Sequence, residues 1–205
     1  ALISISDGSR YLIVPQGREV PAGIDTGITV LKRPIKNIYL VATSAMCLFD
    51  ALDSLDSIGL SGTKAQNWYI ENARAAIEST MINHTPEVKE KLEDLGIPVL
   101  IEQSSYEPHP LGRTEWIKLY AVLIGKEADA ERIFDEQIAY INEVIGQINT
   151  GKTVAFFYIS SSGYAVARKS GDYVTKMIEL AGGNYIFENL GDPTKATGTV
   201  NLEME

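Results

Sequence analysis

Between Ser104 and His109 the chain gathers two hydroxyls, a phenol, a carboxylate and an imidazole: Ser104, Ser105, Tyr106, Glu107 and His109. Such groups hydrogen-bond ligands, bind metals or exchange protons. No tight turn separates them from Gly112-Arg-Thr-Glu-Trp116, which opens a long helical segment. Ahead of them, Ile97-Pro-Val-Leu-Ile-Glu-Gln reads as a buried strand entered from Gly96, a helix stop. In open α/β sheets, ligands sit beyond the carboxyl ends of the strands. The loop is therefore expected to form a binding edge, and the helix after it a rigid connector.

Catalytic chemistry finds little support elsewhere. Gly59-Leu-Ser-Gly-Thr-Lys superficially suggests a phosphate loop, but it lacks the G-x-x-x-x-G-K-[ST] spacing and is read as following a helix rather than a strand. No G-x-S-x-G elbow is present. Asp50, Asp53 and Asp56 share one helical edge, the pattern of a solvated face. Glu102 and Glu107 lie close in sequence without a matching acid or base. The sequence gives no catalytic residue to assign. His84 and His109 are the only histidines, too few for a bare Zn or Mn site, so no metal site and no cofactor are expected. His84 is read as organising the helix cap at Thr85. The single cysteine, Cys47, excludes an intrachain disulfide and falls in an apolar helical pattern as a packed thiol.

A net charge of −9 repels nucleic acid and anionic membrane, which sets nucleic-acid binding aside. The hydrophobic fraction of 45% is that of an ordinary globular protein, and no apolar run approaches the length of a membrane span.

The elements that must position these residues alternate. Ile3-Ser-Ile-Ser, Asp7-Gly8-Ser9 and Tyr11-Leu-Ile-Val predict a β-hairpin. Strands are expected at Ile28–Leu31 and Asn37–Ala42. Ser44 is expected to cap a helix from Ala45 to about Leu55, with Met46, Phe49, Leu52 and Leu55 on its apolar face. Helices should follow over Ala65–Ala76 and from Thr85-Pro86 to Leu95. The connector then runs as two helical stretches punctuated at Gly125, to about Ile148. Thr153-Val-Ala-Phe-Phe-Tyr-Ile is nearly all apolar, as a central parallel strand would be, with Ser160–Gly163 as its carboxyl-end loop. Asp172 should cap a last helix ending at Ala181-Gly-Gly. The alternation argues α/β throughout.

Tyr106-Glu-Pro-His-Pro-Leu-Gly-Arg-Thr-Glu-Trp-Ile-Lys, the following Gly125-Lys-Glu, Lys176-Met-Ile-Glu-Leu-Ala-Gly-Gly-Asn-Tyr-Ile-Phe and Leu40-Val-Ala-Thr-Ser-Ala-Met carry a resemblance over nearly the whole chain. The sequence resembles the substrate-binding proteins of ABC importers for iron–siderophore, haem and cobalamin. The first block is similar to a subgroup from Firmicutes-type bacteria, which is lipid-anchored outside the cell. The resemblance implies two Rossmann-like α/β lobes bridged by one long helix. On that basis 1–110 is expected to form the first lobe, 111–149 the connecting helix and 150–205 a second lobe, incomplete in this chain. A segment of the first lobe is expected to be absent near Arg74–Ala76.

The implied function is extracytoplasmic capture of a metal chelate for an ABC permease, with the membrane met only through a lipid anchor or that permease. Ligand contacts are expected from Ser44 and Met46 after one strand, Thr80 after a second and Tyr106 after a third, with Tyr158 and Arg168 on the other lobe. Their neighbours Thr43, Ser79, Met81, Ser105, Ser160 and Ser161 are secondary candidates. Aromatic rings would supply rigid contact area and the guanidinium a partner for carboxylates. Tyr158 reads equally as core, and Glu107 and Glu203 equally as permease-docking or solvated carboxylates. Axial ligation of haem by His109 is left open beside a loop-shaping role. The rival readings are an α/β enzyme of the chelatase sort, which would need converging histidines and carboxylates, and a sensory or interaction module without solute.

Overall fold

Alternation of apolar side chains builds the first sheet. In the computed structural model, which describes residues 1–76, 86–145, 149–193 and 198–202, β1 (Leu2–Ser4) and β2 (Arg10–Val14) form an antiparallel hairpin with Ile3 opposite Tyr11. Its loop is held by the Asp7 carboxylate, which accepts from the backbone N–H and the hydroxyl of Ser9. Parallel to β2 runs β3 (Ile28–Lys32). The inward side chains Tyr11 and Ile13 form a core with Leu123, against which Ile3, Leu31, Leu100 and Val122 pack. Burying each such side chain contributes about 1.5–3 kcal/mol. The Tyr11 hydroxyl finds its partner in the Val99 carbonyl at 2.7 Å.

The chain divides into two compact units. Unit 1 comprises Ala1–Gln103 and Ile117–Ile133, and unit 2 comprises Ser104–Trp116 and Phe134–Glu205. Within unit 1, a second small sheet pairs β4 (Ile38–Leu40) in parallel with β5 (Ile58–Ser61). The sequence reading missed β5, so Gly59–Lys64 begins within a strand rather than following a helix. Between β4 and β5, α1 (Met46–Ala51) buries Met46 and Phe49, and Leu52 follows at its C-terminal cap. Ser44 does not cap it: Thr43–Ala45 is a 3-10 turn, and Ala45 occupies the cap position without a side-chain hydrogen bond. The predicted second helix divides as well, into a turn at Ala65–Asn67 and α2 (Glu71–Ala76). α2 runs through Arg74–Ala76; the residues after it, 77–85, lie outside the described ones, and with them the Thr85 cap. Pro86 opens α3 (Pro86–Asp94), and Gly96 stops it at φ +72°, with Ile97 N–H donating to the Leu92 carbonyl.

Residues 97–103 form no β-ladder, a correction to the expected buried strand. Pro98 lacks a donor, and the Val99 carbonyl is taken by the Tyr11 side chain rather than by a neighbouring strand. The connector consists of α4 (Pro110–Ile124) and α5 (Glu127–Ile145), separated by Gly125 at φ +84°. Each helix contributes residues to both units. Along α5, Ile133, Ile138 and Ile141 are half-buried, whereas Val144 and Ile145 are exposed.

Among the described residues, unit 2 contains two short sheets. β6 (Thr153–Val154) pairs in parallel with β9 (Asn184–Tyr185). The antiparallel sheet β10–β8–β7 consists of Thr199–Leu202, Ala165–Arg168 and Phe157–Ile159. The predicted central strand over Thr153–Ile159 is thus two strands in two sheets, and β7 is an edge strand with 52–55% of each residue exposed. The loop Ser160–Gly163 closes a β-hairpin instead of ending a parallel strand: Gly163 N–H donates to the Ser160 carbonyl, and Tyr164 N–H to the Ser160 hydroxyl. Asp172 caps α6 (Tyr173–Leu180) as expected, its Oδ1 accepting from Val174 N–H at 3.0 Å. Gly182 ends α6 at φ +75°. A β-carbon on Gly183 would lie 3.1 Å from the Val154 and Ile178 side chains, so a larger residue at this turn into β9 would have to displace them by a few tenths of an ångström.

Candidate ligand-binding site

The loop singled out by its side chains is a built structure. Ser104–Tyr106 form one 3-10 turn, closed by Glu107 N–H donating to the Ser104 carbonyl at 3.1 Å. Its anchor, Arg113, projects from the first turns of α4. Nη2 donates to the Ser105 carbonyl at 2.6 Å and Nε to the Glu107 carbonyl at 3.2 Å. The same guanidinium lies over the Tyr173 ring, 3.6 Å from its centroid. Tyr106, held between the two tethered carbonyls, keeps 62% of its surface exposed.

Glu107 faces the helix. Its Oε1 accepts from the Trp116 indole N–H at 3.1 Å, and the side chain lies so close to Gly112 that a β-carbon there would meet Oε2 at 3.2 Å. This half-buried carboxylate fastens the loop to α4, a task different from the permease docking the sequence suggested for it. Its counterpart Glu203 lies outside the described residues. At the loop's end, His109 accepts from Leu111 N–H through Nδ1. It also lines a cavity of about 290 Å³ with Ile145, Asn149, Lys176, Glu179 and Leu180. There the Lys176 ammonium is already paired with Glu179 at 2.9 Å. Among the described residues, none of the predicted ligand contacts lines this cavity.

Those residues have different surroundings. Tyr158 stands on the exposed edge strand β7, opposite Val166 and open to solvent; this excludes its reading as core. Arg168 ends β8, where its Nη1 lies 3.6 Å from Oδ2 of the fully buried Asp172. That oxygen has no hydrogen-bond partner, so the guanidinium supplies its compensating charge. The Arg168 carbonyl accepts from the Tyr185 hydroxyl at 2.8 Å. In unit 1, Ser44 is exposed and its carbonyl accepts from the Cys47 thiol at 3.2 Å. Cys47 itself lies on the outer face of α1, not in the core as expected; partial burial still pushes its thiol pKa up, and Asp50 adds to this. Met46 is fully buried in the α1 core, which removes it from any surface a ligand could touch. Thr80, with Ser79, Met81 and His84, lies outside the described residues.

Sequence reasoning missed Arg113 and Tyr173 as a pair, and β8, β9 and β10 as elements. It also did not foresee the buried Tyr120 hydroxyl donating to Glu102 Oε1 at 3.2 Å, with the Tyr120 ring stacked on Phe49 at 5.1 Å. Burial, with the Glu102 carboxylate beside it, pushes the Tyr120 hydroxyl far above the ordinary phenol range. The phenol stays protonated and acts as a donor. Among the described residues, no cluster of three or more histidine, cysteine or acidic side chains could hold a metal ion. No described helix is long and apolar enough to cross a membrane.

The geometry has recognisable counterparts. The chain is 22% identical to an uncharacterized lipoprotein of Methanocaldococcus jannaschii over an alignment covering 97% of the chain and 56% of that protein. The chain therefore spans little more than half the length of this relative. It resembles the crystal structure of an ABC-type Fe3+-hydroxamate transport system from Saccharomonospora viridis, with a TM-score of 0.61, 17% identity, and coverage of 82% of this chain and 69% of that one. It is similar to the periplasmic haem-binding protein HutB of Vibrio cholerae at TM-score 0.60 and 15% identity, covering 82% and 71%. The periplasmic vitamin B12-binding protein BtuF of Vibrio cholerae follows at TM-score 0.56 and 16% identity, covering 83% and 71%. No family model matches the sequence. The chain has the α/β, two-lobe fold of periplasmic binding proteins, shared over about 80% of its length.

Proposed function

We propose that this protein is an extracytoplasmic solute-binding protein that captures a metal chelate and hands it to an ABC permease. The observation that carries the reading is the fold: solved structures that match over about four fifths of the chain are named as an ABC-type Fe3+-hydroxamate transport system, a haem-binding protein and a vitamin B12-binding protein. The lipoprotein name of the archaeal relative supports a location outside the cytoplasm. Binding is non-covalent in this reading, with Tyr106, Tyr158 and Ser44 as exposed contact residues, and Thr80 and Arg168 as further ones. The deep pairing of Arg168 with Asp172 makes it a weaker candidate for direct contact than the sequence suggested. Glu203 remains the candidate for permease docking, a steering contact more than an affinity contact. No step makes or breaks a covalent bond.

The test is a fluorescence and absorbance titration with haemin, cyanocobalamin and ferric desferrioxamine B, read through Trp68 and Trp116. Saturable quenching by one of the three supports the reading and selects the chelate class. A folded protein that binds none of them overturns it.

A further inference from the structure

We infer that Arg113 is the positioning residue of the binding edge, and that it presents Tyr106 to ligand by holding the backbone on both sides of it. The inference deepens the solute-binding reading and, where it concerns ligand, rests on it.

A guanidinium is a planar fork whose N–H groups point in fixed directions. Here one arm reaches the carbonyl of Ser105 and another the carbonyl of Glu107, the residues directly before and after Tyr106. The two bonds fix the Ser105–Tyr106 peptide and the Glu107–Pro108 peptide, one on each side of Tyr106, without touching its side chain, which stays 62% exposed. An exposed aromatic on a rigid backbone binds with little conformational entropy to lose. The fork is itself braced. Tyr173, in the first turn of α6, stacks beneath it at 3.6 Å, and the Asp172 cap fixes where that turn begins. Glu107, bonded to the Trp116 indole, secures the far end of the loop to the helix that carries Arg113. Lysine cannot replace this arrangement, since a single ammonium has neither the fork nor the flat face.

The experiment compares the whole chain with Arg113→Lys, Tyr173→Phe, Tyr173→Ala and Tyr106→Ala. Amide hydrogen exchange is read over Ser104–Glu107, with the β2 amides of unit 1 as internal control. Arg113→Lys and Tyr173→Ala should speed loop exchange about ten-fold, leaving β2 unchanged, because local opening tracks the bonds lost there. Tyr173→Phe, which keeps the ring face, should exchange like the parent. For whichever of haemin, cyanocobalamin or ferric desferrioxamine B binds the parent, Arg113→Lys should raise Kd about ten-fold. That loss should vanish in the Tyr106→Ala background, since a positioning residue acts through the residue it positions. Unchanged loop exchange in Arg113→Lys overturns the inference, and so do binding losses that simply add. If none of the three compounds binds the parent, the solute-binding reading fails, while the exchange data alone still decide whether Arg113 holds the loop.

Discussion

The Lys126 ammonium donates to the Leu52 carbonyl at 2.9 Å and to the Asp53 carbonyl at 3.1 Å, closing the C-terminal end of α1. Asp53 sits at φ +47°, so the chain leaves the helix through a left-handed residue and its last carbonyls need a partner from elsewhere in unit 1. Lys126→Met keeps the aliphatic stem and removes only the donor. It should cost about 1–2 kcal/mol, at the lower end of the range for hydrogen bonds to a charged group because the site is partly exposed. Urea unfolding should show a lower midpoint at unchanged slope.

Asp172 serves two purposes, which can be separated. Its Oδ1 caps α6, while Oδ2, buried and without a hydrogen bond, faces the Arg168 guanidinium. Asp172→Ala should cost about 2 kcal/mol or more, since it removes the cap and leaves a half-buried guanidinium without its counter-charge. Asp172→Ser restores a capping oxygen and should recover about 1 kcal/mol of that loss. Equal thermal midpoints for the two variants would show that the cap contributes nothing.

What the sequence reveals follows the range of the interaction. The hairpin at Asp7-Gly8, the Pro86 start, the Asp172 cap and the Gly182 stop are chemistry confined to one turn, and each is found where the residues put it. Strand pairing is not local. Gly59 within β5 and Gly62 just after it flatten the strand's apolar signal, and its partner is β4, so the strand escapes notice. Conversely, Phe157-Tyr158-Ile159 is apolar enough for a central strand and yet is an exposed edge. At the site, the residue types around Tyr106 mark a special loop, but nothing in a single sequence joins Arg113 to Tyr173 far along the chain. Met46 shows the opposite error: a residue just after the turn that follows β4, taken for a ligand contact, whose helical position turns it into the core.

Arg33 and Glu127 form an ion pair within unit 1. Partial burial opposes ionisation of Glu127, but the hydrogen bond and charge of Arg33 outweigh it and hold the carboxyl below its ordinary value of 4.5. A depressed folded-state pKa means that the pair's stabilisation is fully present above pH 4.5 and is lost as pH falls below that value through the folded-state pKa. Glu127 is close to half exposed, so solvent screening limits the effect to about 0.5 kcal/mol. Glu127→Gln should lower stability slightly at pH 7 and converge with the parent as pH falls below 4.5 through the folded-state pKa. Thermal melts across that range at low salt would show it, and a constant gap at every pH would refute the assignment.

Met46 and Tyr158 were proposed from sequence for the same work, and their surroundings predict opposite consequences. Met46 is fully buried beside Phe49 in α1, so Met46→Ala opens a cavity and should cost about 2–5 kcal/mol. Its effect on ligand should be no more than its effect on the folded fraction. Tyr158 has 55% of its surface exposed on β7, so Tyr158→Ala should change stability by less than about 0.5 kcal/mol. Its ring offers flat, rigid area on an open strand edge. Losing it should raise the Kd of the bound chelate several-fold while the melting curve stays in place, since aromatic anchors carry a disproportionate share of contact energy. Calorimetric titration beside a thermal melt of each variant separates the two cases. Parent-like binding by Tyr158→Ala would remove β7 from the contact surface, leaving Tyr106 as the aromatic contact in unit 2.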